Sequence, residues 1–246
     1  MSNKIAVVAG GSLGMGREVA RGLQQKGYKV AIFGRSQAAL DQAVADIGGD
    51  VFATSVDIGD ENSVVEGFAR VDEAFGPAST LVNVAAIFEP FGIEDATADR
   101  VMPMINTNFC GAVYTMREAV QRMRSIGGGD IVNVSSESVR QSTPFYSIYT
   151  SSKAALESFT RIMGEELRED GIRCTTFRVG RMLSHGAAMV EFEPEFQKRF
   201  VDRCIVTGAG YWTGAGMQPE SAALALVNLL ETPRDARVEL VEVRSY

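Results

Sequence analysis

Tyr149 and Lys153 stand four positions apart, and Ser136 lies upstream of them. A helix turns once in about 3.6 residues, so positions i and i+4 share a face. If this stretch is helical, a phenol lies beside an ammonium. A free tyrosine titrates near about pH 10 and exchanges protons poorly at neutral pH. A neighbouring cation favours the phenolate and lowers that value. Such a pair can pass a proton to or from an alcohol or carbonyl oxygen. Tyr146 competes for the role, but Thr150 occupies the position where its ammonium partner would stand.

A second chemical signature lies near the start of the chain, in Ala9-Gly10-Gly11-Ser12-Leu13-Gly14-Met15-Gly16. This run follows the first strand-like stretch and opens the first helical one. Gly10 permits a tight turn, while Gly14 and Gly16 allow backbone to approach a pyrophosphate and pack helix on strand. The helix N-terminus adds unpaired N–H groups and the positive end of its dipole. The same residues contain Gly10-x-Ser12-x-Gly14, a nucleophile-elbow pattern for which His185 could serve as base. That serine-hydrolase reading leaves Gly16 unexplained and puts the elbow after the first strand, whereas hydrolases of that fold place it after several.

The second strand-like run ends in Phe33-Gly34-Arg35-Ser36. Folds that bind NAD typically carry an acid here for the ribose 2′-hydroxyl. Arginine beside serine instead suits a 2′-phosphate, so the expected cofactor is NADP(H) in preference to NAD(H). The competing reading is a solvated arginine capping the next helix.

These groups need a scaffold, and the rest of the sequence describes one. Short β-branched runs at Lys4–Ala9, Tyr28–Phe33, Val51–Val56, Thr80–Val84, Asp130–Ser135, Arg173–Arg178 and Val238–Val243 read as strands. Helical patterns fall near 14–26, 36–46, 61–75, 99–125, 149–170 and 219–230. Near-continuously apolar strands alternating with helices predict an α/β, Rossmann-type, doubly wound parallel sheet. The chain reads as a single domain over 1–246. Residues 184–216 break the rhythm with a charged helical segment, Glu191–Cys204, then glycines, Tyr211 and Trp212. They are either a lid over the substrate or an ordinary surface excursion.

Of 246 residues, 46% are hydrophobic and the net charge is −7. That balance argues against nucleic acid or an anionic membrane as the main partner. The three cysteines show no metal-ligand spacing, and the single histidine, His185, rules out a multi-histidine metal site; no metal is expected. Free thiols, no signal peptide and no membrane-length apolar run suggest a cytoplasmic protein. Asn133-Val134-Ser135 matches a glycosylation acceptor but sits inside an apolar run. Phe88, Phe91, Phe145, Met189 and Trp212 are candidates to line an apolar pocket. Cys110 and Ser135 read as structural, and His185 as a surface residue.

Taken together, the chain resembles the short-chain dehydrogenase/reductase (SDR) family over essentially its whole length. The resemblance rests on Gly10-x3-Gly14-x-Gly16, on Asp57 in Val56-Asp57-Ile58, and on Asn108 in Asn108-Phe109-Cys110-Gly111. Ser136, closing Ile131-Val132-Asn133-Val134-Ser135-Ser136, and Tyr149-x3-Lys153 complete it. It implies an oxidoreductase interconverting a small-molecule carbonyl compound and a secondary alcohol. Tyr149 would exchange the proton and Ser136 would hold the substrate oxygen. Lys153 would bind the nicotinamide ribose and lower the tyrosine pKa, and Asn108 would position a relay water. Cofactor contacts are implied at Gly10, Ser12, Leu13, Gly14, Gly16, Arg35, Ser36, Asp57, Ile58, Asn83, Tyr149, Lys153 and Ser184. Asp57 has an alternative role as cap of the helix beginning near Glu61.

The resemblance also implies a homodimer or homotetramer. Departures from the family pattern are Ala9, Asn83-Val84-Ala85-Ala86, Val179-Gly180 and a different C-terminus. They leave room for a nucleotide-binding regulator or scaffold without catalysis.

Overall fold

The structure is a computed structural model that describes residues 4–183, 193–209 and 215–246. Seven strands form one parallel sheet in the order β3-β2-β1-β4-β5-β6-β7. They are β1 (Ile5–Ala9), β2 (Lys29–Gly34), β3 (Val51–Ser55), β4 (Thr80–Asn83), β5 (Gly129–Ser136), β6 (Ile172–Val179) and β7 (Leu240–Val243). All seven strands expected from the β-branched runs are present. The order reverses between β1 and β4, and the crevice at such a switch point is where open α/β sheets bind ligands.

Helices cover both faces: α1 (Gly14–Gln25), α2 (Gln37–Ile47), α3 (Glu61–Ala74), α4 (Ala98–Ile105), α5 (Gly111–Ser125), α6 (Ser147–Glu166), α7 (Pro194–Thr207) and α8 (Pro219–Leu229). Successive strand residues point to opposite faces. Ala6 and Val8 of β1 therefore join a core with Val19 and Leu23 of α1 and Leu226 of α8. Ile5, Val7 and Ala9 join the other core, with Phe68 of α3 and Met116 and Met123 of α5. Each such large side chain contributes about 1.5–3 kcal/mol on burial. This two-sided burial explains why the strands read as unbroken apolar runs. Among the described residues no helix is long and apolar enough to cross a membrane.

One expected element is divided. The helical pattern over 99–125 forms α4, a π turn at Asn106–Cys110, and α5. The Gly111 N–H reaches back to the Asn106 carbonyl, one residue further than an α-helix allows. The inserted residue changes the direction of the Asn108 side chain, which points into the protein interior at 1% exposure.

Candidate active site

Ser136 is the last residue of β5, at the carboxyl edge of the sheet. Its Oγ accepts the Ser138 N–H at 3.2 Å, which starts the short 3-10 turn Glu137–Arg140. Tyr149 and Lys153 lie in the first turns of α6, on one stripe of the helix. Lys153 is 2% exposed, and its Nζ donates to the Val134 carbonyl of β5 at 2.8 Å. Burial lowers its pKa from 10.5 to about 8.

Burial also pushes the Tyr149 phenol above its ordinary value, while side-chain hydrogen bonding with Ser136 pulls the other way. This corrects the expectation drawn from the i,i+4 pair. In the protein alone desolvation is the larger effect, and the Lys153 ammonium is directed at the Val134 carbonyl. Ser136, Tyr149 and Lys153 nevertheless converge between the end of β5 and the start of α6.

Asn108 joins this group through α6. Its Oδ1 accepts the Ile87 N–H at 2.7 Å, and its Nδ2 donates to the Ile87 carbonyl at 2.9 Å and to Ser152 Oγ at 3.1 Å. The side chain thus fastens the segment after β4 to the helix that carries Tyr149. With both ends of its amide engaged, any contact of Asn108 with a relay water falls to its backbone.

Aromatic rings surround the phenol. Phe88 meets Tyr149 edge to face at 5.0 Å and Tyr146 at 4.8 Å. Tyr146 stacks on Phe200 of α7 at 5.7 Å, and Phe145 packs on Phe196 at 5.2 Å. Phe196 and Phe200 were not among the sequence candidates. Their i,i+4 spacing on a charged helix was the available signal. Burial raises the Tyr146 phenol to about 12. Phe91 is a core residue with the Arg100 guanidinium over its ring at 4.4 Å. A cavity of about 570 Å³ opens between Phe91–Glu94 and α7; Phe145 and Ser147 line it, and Tyr149 and Ser136 do not.

The glycine run forms a cradle at the start of α1. A Cβ on Gly16 would lie 2.0 Å from the Gly10 carbonyl oxygen, so only glycine lets the helix approach the turn this closely. A Cβ on Gly14 would meet nothing within 4 Å, which leaves open space beside the first turn. Leu13, the N-cap, is 42% exposed and offers no side-chain acceptor to the first N–H groups of α1. Arg17 donates to the Ser12 carbonyl through Nε at 2.9 Å and Nη2 at 2.7 Å, fixing the turn. Ala9 accepts the Val84 and Ala85 N–H groups at 2.9 Å each, so the altered motif after β4 still closes against β1. An uncapped, positive helix end over open space suits a pyrophosphate.

The remaining cofactor candidates divide. Arg35 and Ser36 follow β2 on the same edge. Arg35 is exposed, and among the described residues its guanidinium has no hydrogen-bond partner. Ser36 caps α2, its hydroxyl accepting the Ala39 N–H at 3.3 Å. Asp57 does not cap α3: its Oδ1 accepts the Gly59 N–H at 2.9 Å, and Asp60 is the cap. Ile58 is 5% exposed and packs against Gly111, so its side chain belongs to the core.

The Asn83 side chain is likewise committed. Its Nδ2 donates to Asn133 Oδ1 at 2.8 Å, and its Oδ1 accepts from Thr115 Oγ1 at 2.9 Å. Only its backbone is left for a ligand. Asn133 is fully buried, which removes the glycosylation reading. Ser184, His185, Met189, Tyr211 and Trp212 lie outside the described residues, as does part of the expected lid. Among the described residues no cluster of acids, histidines and cysteines could hold a metal ion.

The chain is similar to known oxidoreductases. The chain is 39% identical over 185 residues to an uncharacterized oxidoreductase, YgfF, of Escherichia coli (strain K12), covering 72% of this chain and 75% of that protein. It is 33% identical over 178 residues to a 3-oxoacyl-[acyl-carrier-protein] reductase of Bos taurus, again covering 72% and 75%. A crystal structure described as a putative betaketoacyl-ACP reductase superposes with a TM-score of 0.81 at 28% identity, covering 98% of this chain and 95% of that one. The model of the short chain dehydrogenase family matches residues 4–192. The chain belongs to the short chain dehydrogenase family.

Proposed function

We propose that this oxidoreductase is NADP(H)-dependent and interconverts a carbonyl compound and a secondary alcohol, with Tyr149 as acid and base. The observation that carries the reading is the convergence of Ser136, Tyr149 and Lys153 at the carboxyl edge of β5, on the same edge as the cradle.

The cradle of Gly10, Ser12, Leu13, Gly14 and Gly16 would hold the pyrophosphate, Arg35 and Ser36 the 2′-phosphate, and Asp57 and the backbone near Ile58 the adenine. Lys153 would reach the nicotinamide ribose. The bound nicotinamide supplies the hydride. The protein's part is positional and electrostatic. Ser136 donates a hydrogen bond to the substrate oxygen and orients it toward Tyr149. In reduction the Tyr149 hydroxyl gives its proton to that oxygen; in oxidation the phenolate takes it back. Lys153, freed from Val134 to meet the ribose, brings its ammonium toward the phenol and offsets the rise caused by burial. The Asn108 backbone holds the water that returns the proton.

Phe88, Tyr146 and Phe200 give the reacting end of the substrate an apolar surround, and α7 forms its outer wall. Exposed Ile162 of α6 fits a homodimer or homotetramer built on α5 and α6. The net charge of −7 fits a small-molecule enzyme of the cytoplasm.

The test is a panel of carbonyl compounds followed by NADPH absorbance. Turnover with NADPH, at least about tenfold more efficient than with NADH, is expected; a tenfold ratio corresponds to roughly 1.4 kcal/mol. NADPH binding without turnover across the panel would instead favour a regulator or scaffold.

A further inference from the structure

Tyr149, Lys153 and Glu157 follow one another at i, i+4 and i+8 along α6, so they share a stripe facing the sheet. Three consecutive residues of β5 bond this helix. Asn133 Nδ2 donates to Thr160 Oγ1 at 2.8 Å, the Val134 carbonyl accepts from Lys153, and Ser135 Oγ donates to Glu157 Oε1 at 2.7 Å. Of the three, only the third leads on to an ion pair. Arg178 of β6 donates to Glu157 through Nε at 2.9 Å and Nη2 at 2.7 Å, a two-pronged pair with side chains 11% and 14% exposed. Arg178 Nη1 then bonds Glu242 of β7 at 3.0 Å, and Glu242 also accepts from Arg140 at 2.9 Å. Ser135, Arg178 and Glu242 are register partners across three adjacent strands. The row lies one residue behind Ser136, Val179 and Val243.

We propose that Glu157 and Arg178 are positioning residues that set how far α6 slides along β5, and thereby hold Tyr149 against Ser136. The inference rests on the assignment of Tyr149 above. Apolar packing of α6 against the sheet is tolerant of small axial shifts. A two-pronged guanidinium–carboxylate pair is directional and is not. An arginine anchored on two strands fixes the third turn of α6, and the rigid helix transmits that position to the first turn. Lys153 does not supply this anchor, because its contact with β5 is one bond from a rotatable ammonium to a backbone carbonyl, without two-pronged geometry. A buried ion pair is weak evidence for stability but well suited to fixing register.

The experiment compares Glu157→Gln, Glu157→Leu and the apolar double variant Glu157→Leu with Arg178→Met. Leucine and methionine keep the volume and avoid a lone buried charge, so the double variant is expected to fold. Expected are a kcat at least tenfold lower in the double variant, a KM for NADPH within about threefold of the parent, and partial recovery in Glu157→Gln. Crystals of the double variant should show the Tyr149 ring displaced from Ser136. Parent-like kcat in a folded double variant, or an undisplaced ring, overturns the proposal. If both Leu variants fail to fold, Ser135→Ala and Glu157→Gln decide it by the same readouts. Should Tyr149→Phe itself retain turnover, the functional assignment fails; the ring position still reports on register.

Discussion

Lys153 Nζ sits 2.8 Å from the Val134 carbonyl, a hydrogen bond that holds a buried ammonium between β5 and α6. The bond does not compensate for lost water, because burial brings the lysine down to about 8. Helix α6 therefore carries a cation whose charge is conditional on pH.

The pH dependence follows from that value. Below about 8 Lys153 is charged, and as pH rises through about 8 it loses its proton. Tyr149, raised by burial, keeps its own over the same range. For carbonyl reduction, kcat/KM for NADPH, which reports the free enzyme, should fall above about pH 8. Stability has the opposite sign. Between about 8 and 10.5 the unfolded chain binds the proton and the folded one does not, so resistance to denaturant should rise with pH in this window. Lys153→Met should flatten both profiles. A parent kcat/KM that stays level well beyond pH 8 would contradict the assignment.

Two glycines of the cradle should fail in different ways. Gly16→Ala drives a methyl into the Gly10 carbonyl, and an overpacked core loses about 1–3 kcal/mol or more. A clear drop in melting temperature is expected. Gly14→Ala meets no atom, although its φ of +50° adds strain of about 1–2 kcal/mol. Its methyl occupies the space assigned to phosphate, so NADPH affinity should fall at least tenfold with little further loss of stability. Calorimetry and NADPH fluorescence titration separate the two; equal NADPH affinity in Gly14→Ala and parent would remove the phosphate from that space.

Among the described residues the Arg35 guanidinium has no hydrogen-bond partner, and Ser36 already caps α2. Arg35→Ala should raise the KM for NADPH by about 10–100-fold, the scale of one charge-assisted contact at about 1.5–3 kcal/mol, and leave NADH kinetics almost unchanged. An equal effect on both cofactors would show that Arg35 reads no 2′-phosphate.

Beneath the site, Thr115, Asn83, Asn133 and Thr160 form a buried hydrogen-bonded chain linking α5, β4, β5 and α6. Asn133→Ala leaves Asn83 Nδ2 without its acceptor, while Thr160 Oγ1 keeps the Leu156 carbonyl. A buried polar group left without a partner costs about 1–3 kcal/mol. Urea denaturation should register a loss of at least that size, and an unchanged midpoint would mean that the chain is dispensable.

Much of this was legible in the sequence. Strands buried on both faces must be apolar throughout, and helices between them must carry one apolar stripe, so element type and order could be read from pattern alone. The glycine run announced the cradle because only glycine tolerates the Gly16–Gly10 approach. The π turn left no such mark: Asn106–Cys110 keeps a helical pattern, and one extra residue in a hydrogen-bonded ring changes direction without changing composition.

Side-chain commitments were the least visible. Asn83 stood at the right place for a ligand, but its partners Thr115 and Asn133 come from other elements. Asp57 lost the cap to Asp60 because the chain turns between them. The Tyr149–Lys153 pair invited a Coulomb argument from spacing, and spacing does not report burial. Arg178 lay in an apolar strand with nothing nearby to name Glu157 as its partner.

The central claim is that Tyr149 moves the proton. Its direct measurement is steady-state turnover of Tyr149→Phe with the best carbonyl substrate, beside NADPH binding by fluorescence and Tyr146→Phe as control. The expected kcat is lower by at least about 10²-fold, the lower end of general acid–base contributions. NADPH affinity should stay within a few-fold, and Tyr146→Phe should keep most of its activity. A Tyr149→Phe enzyme turning over at a rate comparable to the parent would contradict it.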